Sequence, residues 1–116
     1  MSTSQTIPTV TDNPGRNRYE LVVDGAKAVA IYSLQGDEIT FLHTLVPAAL
    51  QGRGIASQVV VGALASVRAR GLKVVPQCPV FKAYMRKHPE THDLLSAAGR
   101  QVLESEAAPA PTGNAG

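Results

Sequence analysis

Leu45-Val46-Pro47-Ala48-Ala49-Leu50-Gln51-Gly52-Arg53-Gly54-Ile55-Ala56 decides how this chain is read, because it joins a β-rich segment to a helical one through two glycines. Pro47 has no N–H to donate and ends the strand ladder. Gly52 and Gly54 can adopt positive φ and carry no side chain, so the main chain there can approach a ligand closely. The first N–H groups of the helix that follows lack carbonyl partners and sit at the positive end of its dipole, so strand, glycine turn and helix start together make an anion site. Arg53 adds a charged donor beside it.

Downstream, Ile55, Val59, Val60, Ala63, Leu64 and Val67 recur at helical spacing and predict a helix over 55–70. Gly71 is its stop, with Arg68 and Arg70 in the last turn, where the dipole favours cations. Residues 72–76 read as a short strand, 80–87 as a second helix closed by His88-Pro89, and 92–98 as a further helical turn. Upstream, 19–23 and 28–32 are β-rich and joined by Asp24-Gly25-Ala26-Lys27, whose Asp-Gly pair favours a hairpin. A third, longer strand is expected over 38–46, so the first three strands form an antiparallel meander and the order is β-β-β-α-β-α.

The 116 residues leave room for one core, since two would need roughly twice that length. Residues 1–17, rich in Ser, Thr, Pro and Asn, and 104–116, rich in Ala, Pro and Gly, are expected as flexible tails around a single domain at 18–103. With 44% hydrophobic and 17% charged residues the chain is too apolar for disorder. A net charge of +2 suits a small anionic ligand and lacks the dense basic stripe of a nucleic-acid binder. Cys78 is the only cysteine, which excludes an internal disulfide. No leader pattern or run approaching ~20 apolar residues is present, so a cytoplasmic protein without membrane contact is expected.

Other readings of the glycine turn fail on particular residues. A P-loop needs Lys-Ser or Lys-Thr where Ile55-Ala56 stands, and a dinucleotide fingerprint needs a third glycine where Ser57 stands and an acid near Val74-Val75. An RNA platform built on Arg53, Lys82, Arg86 and Lys87 lacks interleaved aromatics. The spacings of Cys78, His88 and His92 match no zinc pattern, and no metal is expected.

Gln51-Gly52-Arg53-Gly54-Ile55-Ala56 resembles the Gln/Arg-x-x-Gly-x-Gly/Ala signature of the GNAT N-acetyltransferase superfamily. His43-Thr44, Gln77-Cys78-Pro79, Tyr84, Lys87-His88-Pro89 and Asp93-Leu94-Leu95 are similar to its small single-domain YjdJ-like branch, so the resemblance covers 19–95. It implies an α+β fold of the α/β kind: a GNAT-like mixed, mostly antiparallel sheet with helices packed on it. The strands over 38–46 and 72–75 would splay apart to admit a pantetheine arm. Leu45 and Val46 would then bind the pantetheine amides through their backbone. Gln51, Gly52, Arg53, Gly54, Ile55 and Ala56 would hold the cofactor, with the backbone N–H groups from Gly52 to Ala56 on the pyrophosphate.

The function so implied is acetyl-CoA-dependent N-acetyl transfer to a primary amine, on a small molecule or a protein lysine, by a monomer or homodimer. The alternative is a CoA-binding module without turnover that acts as a sensor. Transfer to an amine needs a proton acceptor and a donor for the departing thiolate. His43 is the first candidate base, the other reading being a strand histidine bonded to a backbone carbonyl. Cys78 reads either as an acid near the thioester or as a small buried hydrophobe. Tyr84 reads as an acid or as packing. Glu38 could act through water, and Leu45 stands where relatives often carry an acid.

Overall fold

The computed structural model describes residues 10–107, with side chains described through Glu104. Asp24 and Gly25, at φ 51° and 80°, form the tight turn that joins β2 (Arg18–Val23) to β3 (Ala26–Gln35). Two consecutive positive φ values match the right-handed twist of the flanking strands, which is why Asp-Gly favours this hairpin. β4 (Glu38–Leu45) returns beside β3, and β5 (Lys73–Pro76) joins β4 in parallel after the crossover helix α1 (Ile55–Ala69). With β1 (Thr11–Asn13) on the far edge, the described strands form one sheet in the order β1-β2-β3-β4-β5, antiparallel except for β4–β5. This is the mixed, mostly antiparallel α+β sheet expected from the sequence. No helix among the described residues is long and apolar enough to cross a membrane.

One sheet face carries the core. Tyr19, Ala30, Tyr32, Ile39 and Phe41 point inward from β2, β3 and β4, and α1 buries against them the same six residues whose spacing predicts it. The second helix, α2 (Pro79–Lys87), adds Phe81, which stacks on Phe41 with ring centroids 4.0 Å apart and planes 9° from parallel. Fully burying a side chain of that size contributes about 1.5–3 kcal/mol.

β4 contains a bulge. Ile31 pairs with His43 and Tyr32 with Phe41, so Leu42 is an extra residue with no counterpart on β3. A bulge breaks the period-2 alternation, and the strand beyond it presents the opposite parity inward. Ile39 and Phe41 face the core before the bulge, and Thr44, paired with buried Ala30, does so after it.

Both ends differ from the expectation. Residues 11–13, expected within a flexible tail, pair with β2 as strand β1, because Asp12 is held from two sides. Its carboxylate accepts from Tyr32 Oη at 2.6 Å and from an Arg70 guanidinium nitrogen at 3.0 Å. The same Arg70 nitrogen reaches Tyr19 Oη at 2.9 Å, and Tyr19 Oη lies 2.8 Å from Ser66 Oγ on α1. Burial and the Asp12 carboxylate push the Tyr32 phenol well above its ordinary range, so it stays a donor. Residues 1–9 of that expected tail lie outside the described residues.

The expected helical turn at 92–98 is instead a 3₁₀ segment over Pro89–Leu94, followed by α3 (Ala97–Ala107). Ser96 starts α3: its Oγ accepts the Gly99 N–H at 3.0 Å, the geometry of an N-cap. Residues 104–107, expected in the C-terminal tail, continue this helix, and 108–116 lie outside the described residues. The start of α3 lies against the free edge of β5. Leu95 bridges Val74, Ser96 N–H donates to Val74 O at 3.1 Å, and a Cβ on Gly99 would fall 2.1 Å from that same oxygen.

Candidate functional site at the β4–α1 corner

β4 and β5 pair only over residues 38–41 and 73–76. The last link is Cys78 N–H to Phe41 O at 2.9 Å. Pro79, at the first position of α2, then turns the chain away and has no N–H with which to continue the ladder. Residues 42–45 therefore have β3 on one side and no strand on the other. An open strand edge of this kind offers N–H and C=O groups to any extended amide-bearing ligand.

Thr44 and Cys78 face each other where the strands part, with Oγ1 and Sγ 3.2 Å apart. Cys78 is buried and belongs to the core. His43, the neighbour of Thr44, is exposed and projects from the opposite sheet face. The expected base and the expected thiol therefore lie on different sides of β4, and the residue that meets Cys78 is Thr44. Uninterrupted alternation from Phe41 would have put His43 there; the bulge at Leu42 exchanges the two.

At the end of β4 the chain passes through a 3₁₀ turn, Ala48–Leu50, into the glycine turn. Gly52 and Gly54 have φ of 80° and 71°, which an L side chain rarely adopts. A Cβ at either would meet nothing within 4 Å, so backbone conformation rather than crowding requires glycine. Gly54 caps α1 in the left-handed conformation, its carbonyl accepting from Gln58 N–H at 3.2 Å, and no side chain caps the helix. The N–H groups of Ile55, Ala56 and Ser57 thus have no carbonyl four residues back. They border a hollow of about 180 Å³ whose wall includes Val46, Leu50, Gly52 and Gly54.

Two expected ligand contacts have partners within the protein. Gln51 Nε2 donates to Val46 O at 3.2 Å, so the glutamine ties the turn to the strand end. Arg53 pairs with Asp24 of the β2–β3 turn at 3.0 Å, with both side chains largely exposed.

Ser57 also borders a larger hollow, about 560 Å³, between α1 and α2, lined by Val60, Val80, Ala83, Tyr84 and Lys87 among others. Tyr84 stacks on the His88 ring at 4.0 Å and 16°. His88 Nδ1 lies 3.0 Å from Glu90 Oε2, and the Glu90 carboxyl is held below its ordinary value by its backbone hydrogen bond and then by His88. Tyr84 is six residues along α2 from Cys78, a rise of about 9 Å. Among the described residues, Cys78 Sγ has Thr44 Oγ1 as its partner and the Tyr84 ring has His88.

Sequence reading missed Thr44 as the partner of Cys78 and Ser57 as the residue shared by the two hollows. A signal for Ser57 existed, since it is the third residue of α1 and so within the uncapped first turn. None existed for Thr44, because the bulge carries no glycine or proline.

Among solved structures the chain is similar to the NMR solution structure of a GCN5-like protein from Staphylococcus aureus, with 21% identity and a TM-score of 0.59 over 79% of this chain and 91% of that one. At that identity the likeness shows the fold. A search of curated proteins gave no match. A family model described as GCN5-related N-acetyl-transferase matches residues 18–94, from the start of β2 to the last residue before the bridge onto β5. A match over that span, two-thirds of the sequence and nearly all of the sheet, makes the chain a member of the GCN5-related N-acetyltransferase family.

Proposed function

We propose that the protein is an acetyl-CoA-dependent N-acetyltransferase that delivers an acetyl group to a primary amine by direct attack on the thioester. The observation that carries this reading is the meeting of two unsatisfied backbone surfaces at one corner: the uncapped start of α1 and the open edge of β4. Their chemistry fits the two halves of coenzyme A. The N–H groups of Ile55, Ala56 and Ser57 suit a diphosphate. Residues 42–45 suit the two pantetheine amides, each such backbone bond contributing about 0.5–1.5 kcal/mol net. Val46 O retains a second lone pair beside the one that Gln51 uses. Arg53 can turn to the phosphates because an exposed pair such as Arg53–Asp24 is worth only about 0–1 kcal/mol.

When bound, acetyl-CoA supplies the acetyl group already activated as a thioester. The protein must then manage protons. A lysine-like amine is almost wholly ammonium at neutral pH, and neutralising it costs about 4–5 kcal/mol. His43, exposed on the outer face of β4, would take that proton from an amine arriving on that side. Thr44 and Cys78, at the parting of the strands, offer the O–H and S–H nearest the cleft. Tyr84, which lines the α1–α2 groove and stacks on His88, is assigned to packing. The single Cys78 fits a reducing, cytoplasmic setting.

A second reading, a CoA-binding module without turnover, is favoured by the separation of His43, Cys78 and Tyr84 over two sheet faces and a helix groove. One experiment separates the two: titrate the protein with CoA by calorimetry, then incubate it with acetyl-CoA and pools of amines, peptides and polyamines while following thiol release. Binding with acceptor-dependent release is expected, and binding alone would establish the second reading. Gly54→Val should abolish CoA binding with the folded spectrum retained, because valine cannot hold φ 71° without strain. Unchanged affinity in that variant would refute the assignment of the corner.

A further inference from the structure

The end of α2, the 3₁₀ segment Pro89–Leu94 and α3 enclose another hollow, of about 230 Å³, lined by Arg86, His92, Leu95, Arg100, Leu103 and Glu104. It shares no lining residue with the hollows at the glycine turn or between α1 and α2. Its floor is apolar, formed by the buried Leu95 and Leu103. Its rim is cationic.

Arg18, Arg53, Arg68 and Arg70 each reach a carboxylate. Arg86 and Arg100 do not: among the described residues no ion pair involves either one, although Glu104 stands on the same rim. Each is tethered instead by a backbone carbonyl, Arg86 to Leu103 O at 3.5 Å and Arg100 to His92 O at 3.0 Å. His92 is held too, its Nε2–H donating to Met85 O at 2.7 Å. A guanidinium has five N–H donors, and one carbonyl engages only part of that set. Among the described residues, two positive charges face one negative charge across an apolar floor.

We propose that this hollow binds a small organic monocarboxylate, with its carboxylate on Arg86 and Arg100 and its apolar body on Leu95 and Leu103. The planar guanidinium fork matches a carboxylate in a bidentate manner. The apolar floor distinguishes such a ligand from a bare inorganic anion, which would leave the leucines uncovered. The space suffices, since a cavity of about 150 Å³ already accepts benzene. The bound molecule would join α2 to α3, which the Arg86 tether also links.

The test is an NMR titration of the full chain with benzoate and hexanoate, with inorganic phosphate and benzylamine as comparison probes, following the Leu95 and Leu103 methyls and the Arg86 and Arg100 Nε–H signals. Saturable shifts at these four residues are expected for both carboxylates, with affinity at least about tenfold above that for phosphate and no response to benzylamine. The exposed double substitution Arg86→Gln with Arg100→Gln should weaken benzoate at least about tenfold and leave the folded spectrum unchanged. Absence of saturable shifts, equal affinity in the double variant, or phosphate binding as tightly as benzoate would each overturn the proposal. Failure here leaves the reading of the β4–α1 corner untouched, because no residue is shared.

Discussion

Residues 38–41 at the start of β4 have a strand on each side, and their inward side chains, Ile39 and Phe41, are fully buried. Residues 42–45 at its end have only β3, and Leu45 is 55% exposed. The two halves share one backbone, one antiparallel partner and nearly the same β propensity. What separates them is one extra residue, Leu42, and one missing neighbour. Before the bulge the hydrogen-bonding groups of β4 are used up by the sheet, and the half contributes stability. After it, the same groups face a gap, and the half contributes a surface. An open edge thus arises from a rigid ladder without a loop.

Phe41→Ala should break that comparison most severely. It empties the stack on Phe81 in the closed half and should cost about 3–5 kcal/mol in denaturant unfolding. A cost below 1 kcal/mol would mean that the closed half does not anchor the fold. Deleting Leu42 should restore continuous alternation and leave His43 opposite Ile31 and Thr44 opposite Ala30, because that register already skips it. We expect CoA affinity to change by less than about tenfold, or about 1.4 kcal/mol, by calorimetry while thermal unfolding stays cooperative, and a larger loss would show that the extra residue itself shapes the open edge. Thr44→Val leaves the shape but removes the hydroxyl beside Cys78 Sγ, and should cost about 1 kcal/mol. The same change should slow alkylation of the Cys78 thiol, because a methyl in place of the hydroxyl makes its buried surroundings more apolar and disfavours the thiolate.

The smallest effect is acid sensitivity beside the closed half. Asp93 is held below its ordinary value first by its hydrogen bond from Arg68, with Lys73 of β5 adding a weaker field. A carboxyl depressed on folding contributes fully above its unfolded value, 3.8, and loses that contribution as pH falls through the lower folded value. Asp93→Asn should therefore lower stability slightly at pH 7 and flatten its decline below about pH 4. An unchanged acid slope would show that the Arg68–Asp93 pair is only a surface contact.

The parts of this molecule that could be read from sequence are those governed by neighbours a few residues away. α1 was legible because six apolar side chains share one face at helical period, and the β2–β3 hairpin because Asp24-Gly25 supplies two positive φ values. β1 was not, because Thr11-Asp12-Asn13 has the composition of a turn and becomes a strand only when Asp12 meets Arg70, 58 positions away. Nor was the allocation of His43 and Thr44 to opposite faces. Phe41-Leu42-His43-Thr44 contains nothing that marks a bulge, and the choice is made by how β3 lies against it. The glycine turn was placed correctly, whereas the partners of Gln51 and Arg53 depend on Val46 O and Asp24.

Gly99 has a consequence for the outer rim of the sheet. Its missing side chain lets the start of α3 lie over Val74 O, so the outer rim of β5 is sealed by the chain's own following segment. An unsealed rim is a template on which another copy can add a strand, the first step towards a fibre. With alanine at position 99 the segment would have to lift, and Val74 would be free to recruit a neighbour. The hydrogen of a single glycine thus closes the sheet locally at Val74, while residues 42–45 of β4 stay open.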